Sequence, residues 1–274
     1  MRAALLQMTA GIDPAANAAT LVAAIGEARA AGADMLFTPE MSGCLDRDRA
    51  RSATAIRPEE ADTVLSAVQA AAREHCIWVQ LGSLAIDDPA SGKRRNRSYL
   101  IDDRGEIRAR YDKMHLFDVD LPTGESWRES NSYIGGEGAV LADTPWGKLG
   151  LTICYDLRFP ALYQALSEAG AVIAAIPAAF TVPTGEAHWH VLMRARAIEN
   201  AMFVIAAAQV GVHEDGRATY GHSLVVDPWG EVLLDAGHAP GVYIVDLPLD
   251  RIDDVRARIP VLHHRRPIAK VGVS

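Results

Sequence analysis

Three groups of different chemistry stand at the ends of apolar runs in this chain. Cys154 closes Leu149-Gly150-Leu151-Thr152-Ile153 and is followed at once by Tyr155-Asp156-Leu157-Arg158-Phe159-Pro160. The run reads as a parallel strand and the proline as a helix start, so the thiol falls where open α/β sheets present their reactive groups. Met35-Leu36-Phe37-Thr38-Pro39-Glu40 brings a carboxylate to a second strand end, and Tyr111-Asp112-Lys113 brings an amine to a third. A thiol attacking an amide needs a proton acceptor, a cation or N–H groups for the tetrahedral oxyanion, and a proton for the departing amine. Glu40 is the candidate acceptor, because the preceding proline ends the strand ladder and frees the carboxylate. Lys113 is the candidate cation, whose charge also favours a thiolate.

Taken singly, each group has a plainer reading. Free cysteine is among the most buried residue types, which suits Cys154 as well as Cys44 and Cys76. A Glu after Pro is an ordinary loop carboxylate, and a Lys at a hairpin end an ordinary surface charge. A Cys–His pair is the competing chemistry, with His115 or His188 as base. Nothing in the spacing of the nine histidines singles one out. A glutaminase-type elbow fits poorly, since it needs small residues two positions either side of the nucleophile, where this chain has Thr152 and Asp156.

The elements that must position these groups are legible as alternating runs. Strands are expected near 3–8, 34–38 and 77–85, with Ala-rich helices near 14–31 and 58–75, a pattern that packs helices on the faces of a sheet. Residues 96–111 read as a hairpin around the turn Asp102-Asp103-Arg104-Gly105, and residues 223–234 as another around Asp227-Pro228-Trp229-Gly230. Both predict mixed sheets. Between them lie the Cys154 strand, a helix near 160–169, a strand at 171–176, a helix near 186–200 and a strand at 202–208. No linker or composition shift divides the chain, so a single domain over 1–274 is expected.

The bulk numbers narrow the partners. A chain of 274 residues, 49% of them hydrophobic, buries a sizeable core, and a net charge of −8 is the wrong sign for nucleic acid or an anionic membrane. The expected partner is a small molecule. Three cysteines without a CxxC pair suit a reducing compartment, and the first apolar run is too short for a signal peptide. The longest apolar stretches, near 171–180 and 201–208, fall short of a membrane span. A cytoplasmic protein is expected.

The segments Thr38-Pro39-Glu40-Met41, Tyr111-Asp112-Lys113-Met114-His115-Leu116-Phe117-Asp118 and Ile153-Cys154-Tyr155-Asp156-Leu157-Arg158-Phe159-Pro160, in this order, resemble the three signature segments of the nitrilase superfamily, the carbon–nitrogen hydrolases with a Glu-Lys-Cys triad. The resemblance extends to Leu262-His263-His264-Arg265-Arg266-Pro267. It implies an α/β fold, a four-layer αββα sandwich of two mixed β-sheets flanked by helices. It implies Glu40 as general base, Lys113 as the cation at the tetrahedral intermediate and Cys154 as nucleophile. Glu129, otherwise a loop carboxylate, matches the family's second glutamate, which positions substrate and lysine. No metal and no organic cofactor is implied. A homodimer is, with the helix after Cys154 at the interface; its Ala161, Leu162, Ala165 and Leu166 suit that face or packing on the subunit's own sheet.

Secondary segments narrow the branch. Glu129-Ser130-Asn131-Ser132, Thr184-Gly185-Glu186-Ala187-His188-Trp189 and Tyr220-Gly221-His222-Ser223 are similar to the Nit-type amidases, which include deaminated glutathione amidase and omega-amidase. The implied reaction is hydrolysis of a terminal carboxamide of a small carboxylate-bearing substrate to acid and ammonia through a cysteine thioester, of the deaminated-glutathione type. The alternatives are omega-amidase action on 2-oxoglutaramate or 2-oxosuccinamate, and a nitrilase-like scaffold that binds without turnover. A guanidinium fork holds a carboxylate best, so Arg158 is the candidate, with an ion pair to Asp156 as its plainer reading. Tyr155, Phe180 and His188 are candidate wall residues, although buried aromatics also serve cores. One departure is the loop 41–49, which lacks the aromatic residue such enzymes tend to carry after the glutamate and should border the pocket.

Overall fold

The computed structural model describes residues 1–120, 124 and 126–268. β1 (Arg2–Gln7), α1 (Pro14–Ala30), β2 (Met35–Phe37), a short α2 (Arg49–Ser52), α3 (Thr63–His75) and β3 (Trp78–Asp88) open the chain. The hairpin of β4 (Lys93–Ile101) and β5 (Ile107–Asp112) follows, then a ribbon of β6 (Asp118–Asp120) and β7 (Ser126–Arg128), then β8 (Val140–Thr144) and β9 (Gly147–Leu151). The second half holds α4 (Pro160–Glu168), β10 (Ala171–Ala175), α5 (Val182–Asn200), β11 (Phe203–Ala206) and a ribbon of β12 (Val210–Val212) and β13 (Ala218–Tyr220). It ends with β14 (Leu224–Val226), β15 (Val232–Asp235), β16 (Gly241–Asp246), α6 (Arg251–Arg258) and α7 (Val261–His264).

Twelve of these strands build two six-stranded sheets, ordered β16-β1-β2-β3-β4-β5 and β15-β14-β11-β10-β9-β8. Each has three parallel strands at its centre and antiparallel strands at its edges. The period-two alternation of β1 explains the layers. Ala3 and Leu5 join Met35, Phe37, Leu151 and Ile173 between the sheets, whereas Ala4 and Leu6 pack with Leu21 and Ile25 of α1 and Val68 of α3. α4 and α5 cover the second sheet, where Gly150 leaves room for Leu166. The expected αββα sandwich is the observed one.

Differences from the sequence expectation have local causes. α3 starts at Thr63 rather than near 58, because the Asp62 carboxylate accepts the Leu65 N–H and caps the helix there. α5 starts at Val182, four residues early, since a proline is tolerated in a first turn. The edge strands β8 and β16 have no counterpart among the expected ones; their half-exposed residues carry neither a buried apolar run nor a clean alternation. On α4, Leu162 and Leu166 belong to the subunit's own core, which leaves only Ala161 and Ala165 of the expected dimer face exposed.

Candidate active site

Glu40 is held by a bulge in the neighbouring strand. β2 ends at Phe37, and the pairing of β3 with β4 shifts register between Leu81 and Leu84. Into that irregularity the Glu40 segment is bolted: Gly82 N–H donates to Thr38 Oγ1 (2.9 Å), Ser83 N–H to the Pro39 carbonyl (3.3 Å) and Met41 N–H to Ser83 Oγ (2.9 Å). A side chain on Gly82 would overlap the Thr38 and Pro39 carbonyls, so the close approach requires glycine. Glu40 Oε2 accepts the Ala179 N–H at 2.9 Å, and its carbonyl accepts Gln209 Nε2 at 3.0 Å.

Lys113 follows the last residue of β5 and reaches the same point. Its Nζ donates to Glu40 Oε1 at 2.9 Å and to Glu129 at 2.9 Å and 3.2 Å. Glu129 is fixed by the Phe117 N–H, 2.6 Å from Oε2. Asn96 of β4 completes the cluster, donating to Glu40 Oε1 (2.8 Å) and Glu129 Oε1 (3.3 Å). The sequence reading missed Asn96. Its signal was strand period alone, since every second residue of β4 faces the side on which Glu40 lies.

Cys154 occupies the turn between β9 and α4, with a φ of 46° that few side-chain-bearing residues adopt. Two anchors hold it there. Its N–H donates to the Pro177 carbonyl (2.9 Å), and the Asp156 carboxylate beside it accepts the Ile153 N–H (2.9 Å), the Tyr111 hydroxyl (2.7 Å) and the His115 N–H (3.1 Å). The His115 ring also pairs with Asp156 at 2.7 Å and stacks on Phe159, so it is engaged away from the thiol.

The charges settle into a definite resting pattern. Burial would raise the Glu40 pKa, but the Lys113 charge and hydrogen bonds from Lys113, Cys154 and Asn96 outweigh it and hold the carboxyl below its ordinary value. Burial opposes the Lys113 charge too, yet Glu129 and Glu40 raise its pKa well above normal. Burial first, and the Glu40 charge second, push the Cys154 thiol far up. The resting site is therefore carboxylate, ammonium and neutral thiol, an arrangement that offers a carboxylate base beside the thiol rather than a standing thiolate.

Comparison with known proteins shows the family. The carbon-nitrogen hydrolase profile matches residues 2–257. Deaminated glutathione amidase of Yersinia enterocolitica is 40% identical over 98% of this chain and 94% of its own length, and that of Bos taurus is 41% identical over 96% and 81%. Among solved structures, the Caenorhabditis elegans NitFhit protein superposes with a TM-score of 0.89 at 37% identity, covering 97% of this chain and 65% of that one. A Nesterenkonia amidase of the nitrilase superfamily, solved as a cysteine-to-alanine mutant, gives 0.80 at 30% identity over 95% of both chains. The chain belongs to the carbon–nitrogen hydrolase family.

In this carbon–nitrogen hydrolase the cluster opens into a cavity of about 460 Å³. Glu40, Lys113, Glu129, Cys154, Tyr155 and Phe180 all border it. Arg158 and His188 do not: the guanidinium pairs with His188 Nδ1 at 3.2 Å and lies over the Phe180 ring, with His188 exposed. The guanidiniums that do line the wall are Arg47, Arg49, Arg94, Arg128 and Arg217, none of which the sequence reading proposed. Among the described residues they make, with Lys113, six cationic side chains on the wall against three anionic ones, Glu40, Asp46 and Glu129, although Arg128 and Arg217 pair behind it with Asp120 and Asp215, in a chain of net charge −8. Among the described residues, His190, His222 and Asp235 form the group whose donor atoms are close enough to share a metal ion, all within 4.8 Å. They lie apart from the cavity wall, and hydrogen bonds of 3.0 Å and 2.7 Å already join both imidazoles to Asp235.

Proposed function

We propose that this carbon–nitrogen hydrolase cleaves an amide of a small carboxylate-bearing substrate of the deaminated-glutathione type through a thioester on Cys154. The observation that carries the reading is the buried thiol beside a Glu40 carboxylate that Lys113 keeps ionised. Near-full-length relatives called deaminated glutathione amidases support the substrate class. The net cationic cavity supports an anionic substrate.

The steps follow from the resting charges. Glu40 takes the thiol proton as sulfur adds to the amide carbon, and the carbonyl electrons move to oxygen. Lys113 gives one N–H to Glu40 and shares a second between the two Glu129 oxygens, which leaves the third for that oxyanion beside the Tyr155 backbone N–H. Glu40 passes its proton to the amide nitrogen, the C–N bond breaks, and a thioester remains. Glutathione is a tripeptide, so the amide cut in its deaminated form is internal and the departing group is an amine, not the ammonia expected from a terminal carboxamide; a primary carboxamide would release ammonia by the same steps. Glu40 then deprotonates water, hydroxide adds to the thioester, and the sulfur leaves and regains its proton. Glu129 and Asn96 touch Glu40 or Lys113 and act by positioning them.

Incubation with deaminated glutathione, 2-oxoglutaramate and a neutral aliphatic amide, followed by intact-mass analysis, tests the reading. The wild type should show an acyl adduct on Cys154 and the highest kcat/KM on the first substrate. A folded Cys154→Ala variant should show neither adduct nor turnover, and normal turnover by it would end the proposal. The same reading makes the enzyme a cytoplasmic homodimer. Its three cysteines are unbonded, and among the described residues no helix is long and apolar enough to cross a membrane.

A further inference from the structure

Arg94 is the one cavity guanidinium that is nine-tenths buried, with 6% of its surface exposed. It has no carboxylate partner among the described residues. Nη1 donates to Ser52 Oγ at 3.0 Å and Nη2 to the Arg49 carbonyl at 3.1 Å, neutral acceptors that leave further N–H groups unused. The other buried cation of the site, Lys113, is matched by two carboxylates, and Arg95 and Arg97 on the opposite face of β4 pair with Asp88, Asp112 and Glu59. A buried guanidinium without an anion is costly, and one on a cavity wall is a place for an anion from outside. Arg49, from α2, borders the cavity beside it, and among the described residues its guanidinium donates only to the Asn131 and Gly92 carbonyls.

Position gives the subsite its meaning. Arg94 and Asn96 share one face of β4, so their backbones stand about 7 Å apart at roughly 3.4 Å per residue. Asn96 touches Glu40, at the reacting end; Arg94 reaches away from it toward α2. We propose that Arg94, seconded by Arg49, binds a carboxylate remote from the scissile amide, so that the cavity selects long acidic amides over short 2-oxo-acid amides. This rests on the amidase reading above and specifies its substrate: the carboxylate at the glycine end of glutathione is such a remote acid, whereas the acid group of 2-oxoglutaramate lies only a few bonds from its amide.

The test compares wild type with Arg94→Met and Arg94→Lys. In the wild type the ratio of kcat/KM for deaminated glutathione to that for 2-oxoglutaramate should be high. Arg94→Met should lower that ratio about 30-fold, through KM rather than kcat, the size expected for a lost hydrogen-bonded charge pair, and Arg94→Lys should restore part of it. A second readout needs no turnover: dicarboxylic acids of increasing length should protect Cys154 from iodoacetamide, with long acids better than short ones in the wild type and that preference lost in Arg94→Met. An unchanged ratio together with unchanged length preference overturns the subsite while leaving the amidase reading standing. Absent hydrolysis of deaminated glutathione with an Arg94-dependent length preference overturns the named substrate and keeps the subsite. If Arg94→Met does not fold, Arg94→Lys alone decides, since a compact ammonium cannot reproduce a two-pronged contact and should still shift KM by several-fold.

Discussion

Glu40 and Cys154 move in opposite directions from their ordinary pKa values, and this has a measurable consequence. Glu40 is depressed chiefly because Lys113 and three hydrogen bonds overcome burial, so its carboxylate persists below the usual glutamate range near 4.5. A kcat/KM profile should therefore stay flat through pH 5 and fall only at lower pH. The stability linked to Glu40 has the same sign: it is present above the unfolded-state pKa and lost as pH drops through the folded one. Cys154 is raised, so its alkylation by iodoacetamide should still be climbing at about pH 10.5, where an ordinary thiol has levelled off. Glu40→Gln should cost about 10²- to 10⁴-fold in kcat, the range for a lost general base. Asn96 is a positioning residue. Asn96→Ala removes a donor from two carboxylates and should lower kcat by about tenfold or more. Asn96→Asp instead sets a third carboxylate beside them, which should carry the acid limb to higher pH.

At the scale of elements, two glycines let backbone segments meet where side chains would keep them apart. Gly82 admits the Glu40 segment to β3, and Gly136 lies against the Asp112 carbonyl that precedes Lys113. Gly82→Ala should cost about 1–3 kcal/mol through overpacking, a fall of several degrees in Tm, and should lower kcat because the base shifts with its loop. Gly138→Ala is the control: open space surrounds that position, and Tm and kcat should hold. Both are read by calorimetry and steady-state assay. Cys154 depends on its element in another way, since Asp156 ties the turn to β5 through Tyr111 and to the loop after it through His115.

The molecule as a whole sets a cationic cavity in an anionic protein. An acidic exterior does not exclude an acidic substrate when, among the described residues, six cations and three acids line the site, and association should weaken with added salt as those charges are screened. The exposed apolar residues cluster partly on α5 and the adjoining turn, where Val191 is 68%, Ile198 47% and Trp229 50% exposed. Ile198 lies against Gly230, next to Trp229. Val191 and Ile198, about two turns apart on α5, and the exposed Ala161 and Ala165 of α4, which packs against α5, are the residues these helices offer the proposed homodimer. Sedimentation should give a dimer, and the double variant Val191→Glu with Ile198→Glu should shift it toward monomer.

Sequence alone determined the strand ends, because an apolar run, a proline and a polar side chain are local signals that survive any packing. It thereby determined Glu40, Lys113 and Cys154 as candidates, and the resemblance added Glu129 and the sandwich. The pairing of the sheets, the bulge that seats Glu40 and the edge strands β8 and β16 follow from contacts between distant segments and leave no local pattern. Tertiary structure also decided which arginines border the cavity. Arg158 is nearest the nucleophile in sequence, yet its side chain leaves the turn toward His188, while Arg94 arrives from β4 and is buried with no carboxylate partner among the described residues. Direction across a fold is a matter of which faces pack together, and nearness along a chain does not fix it.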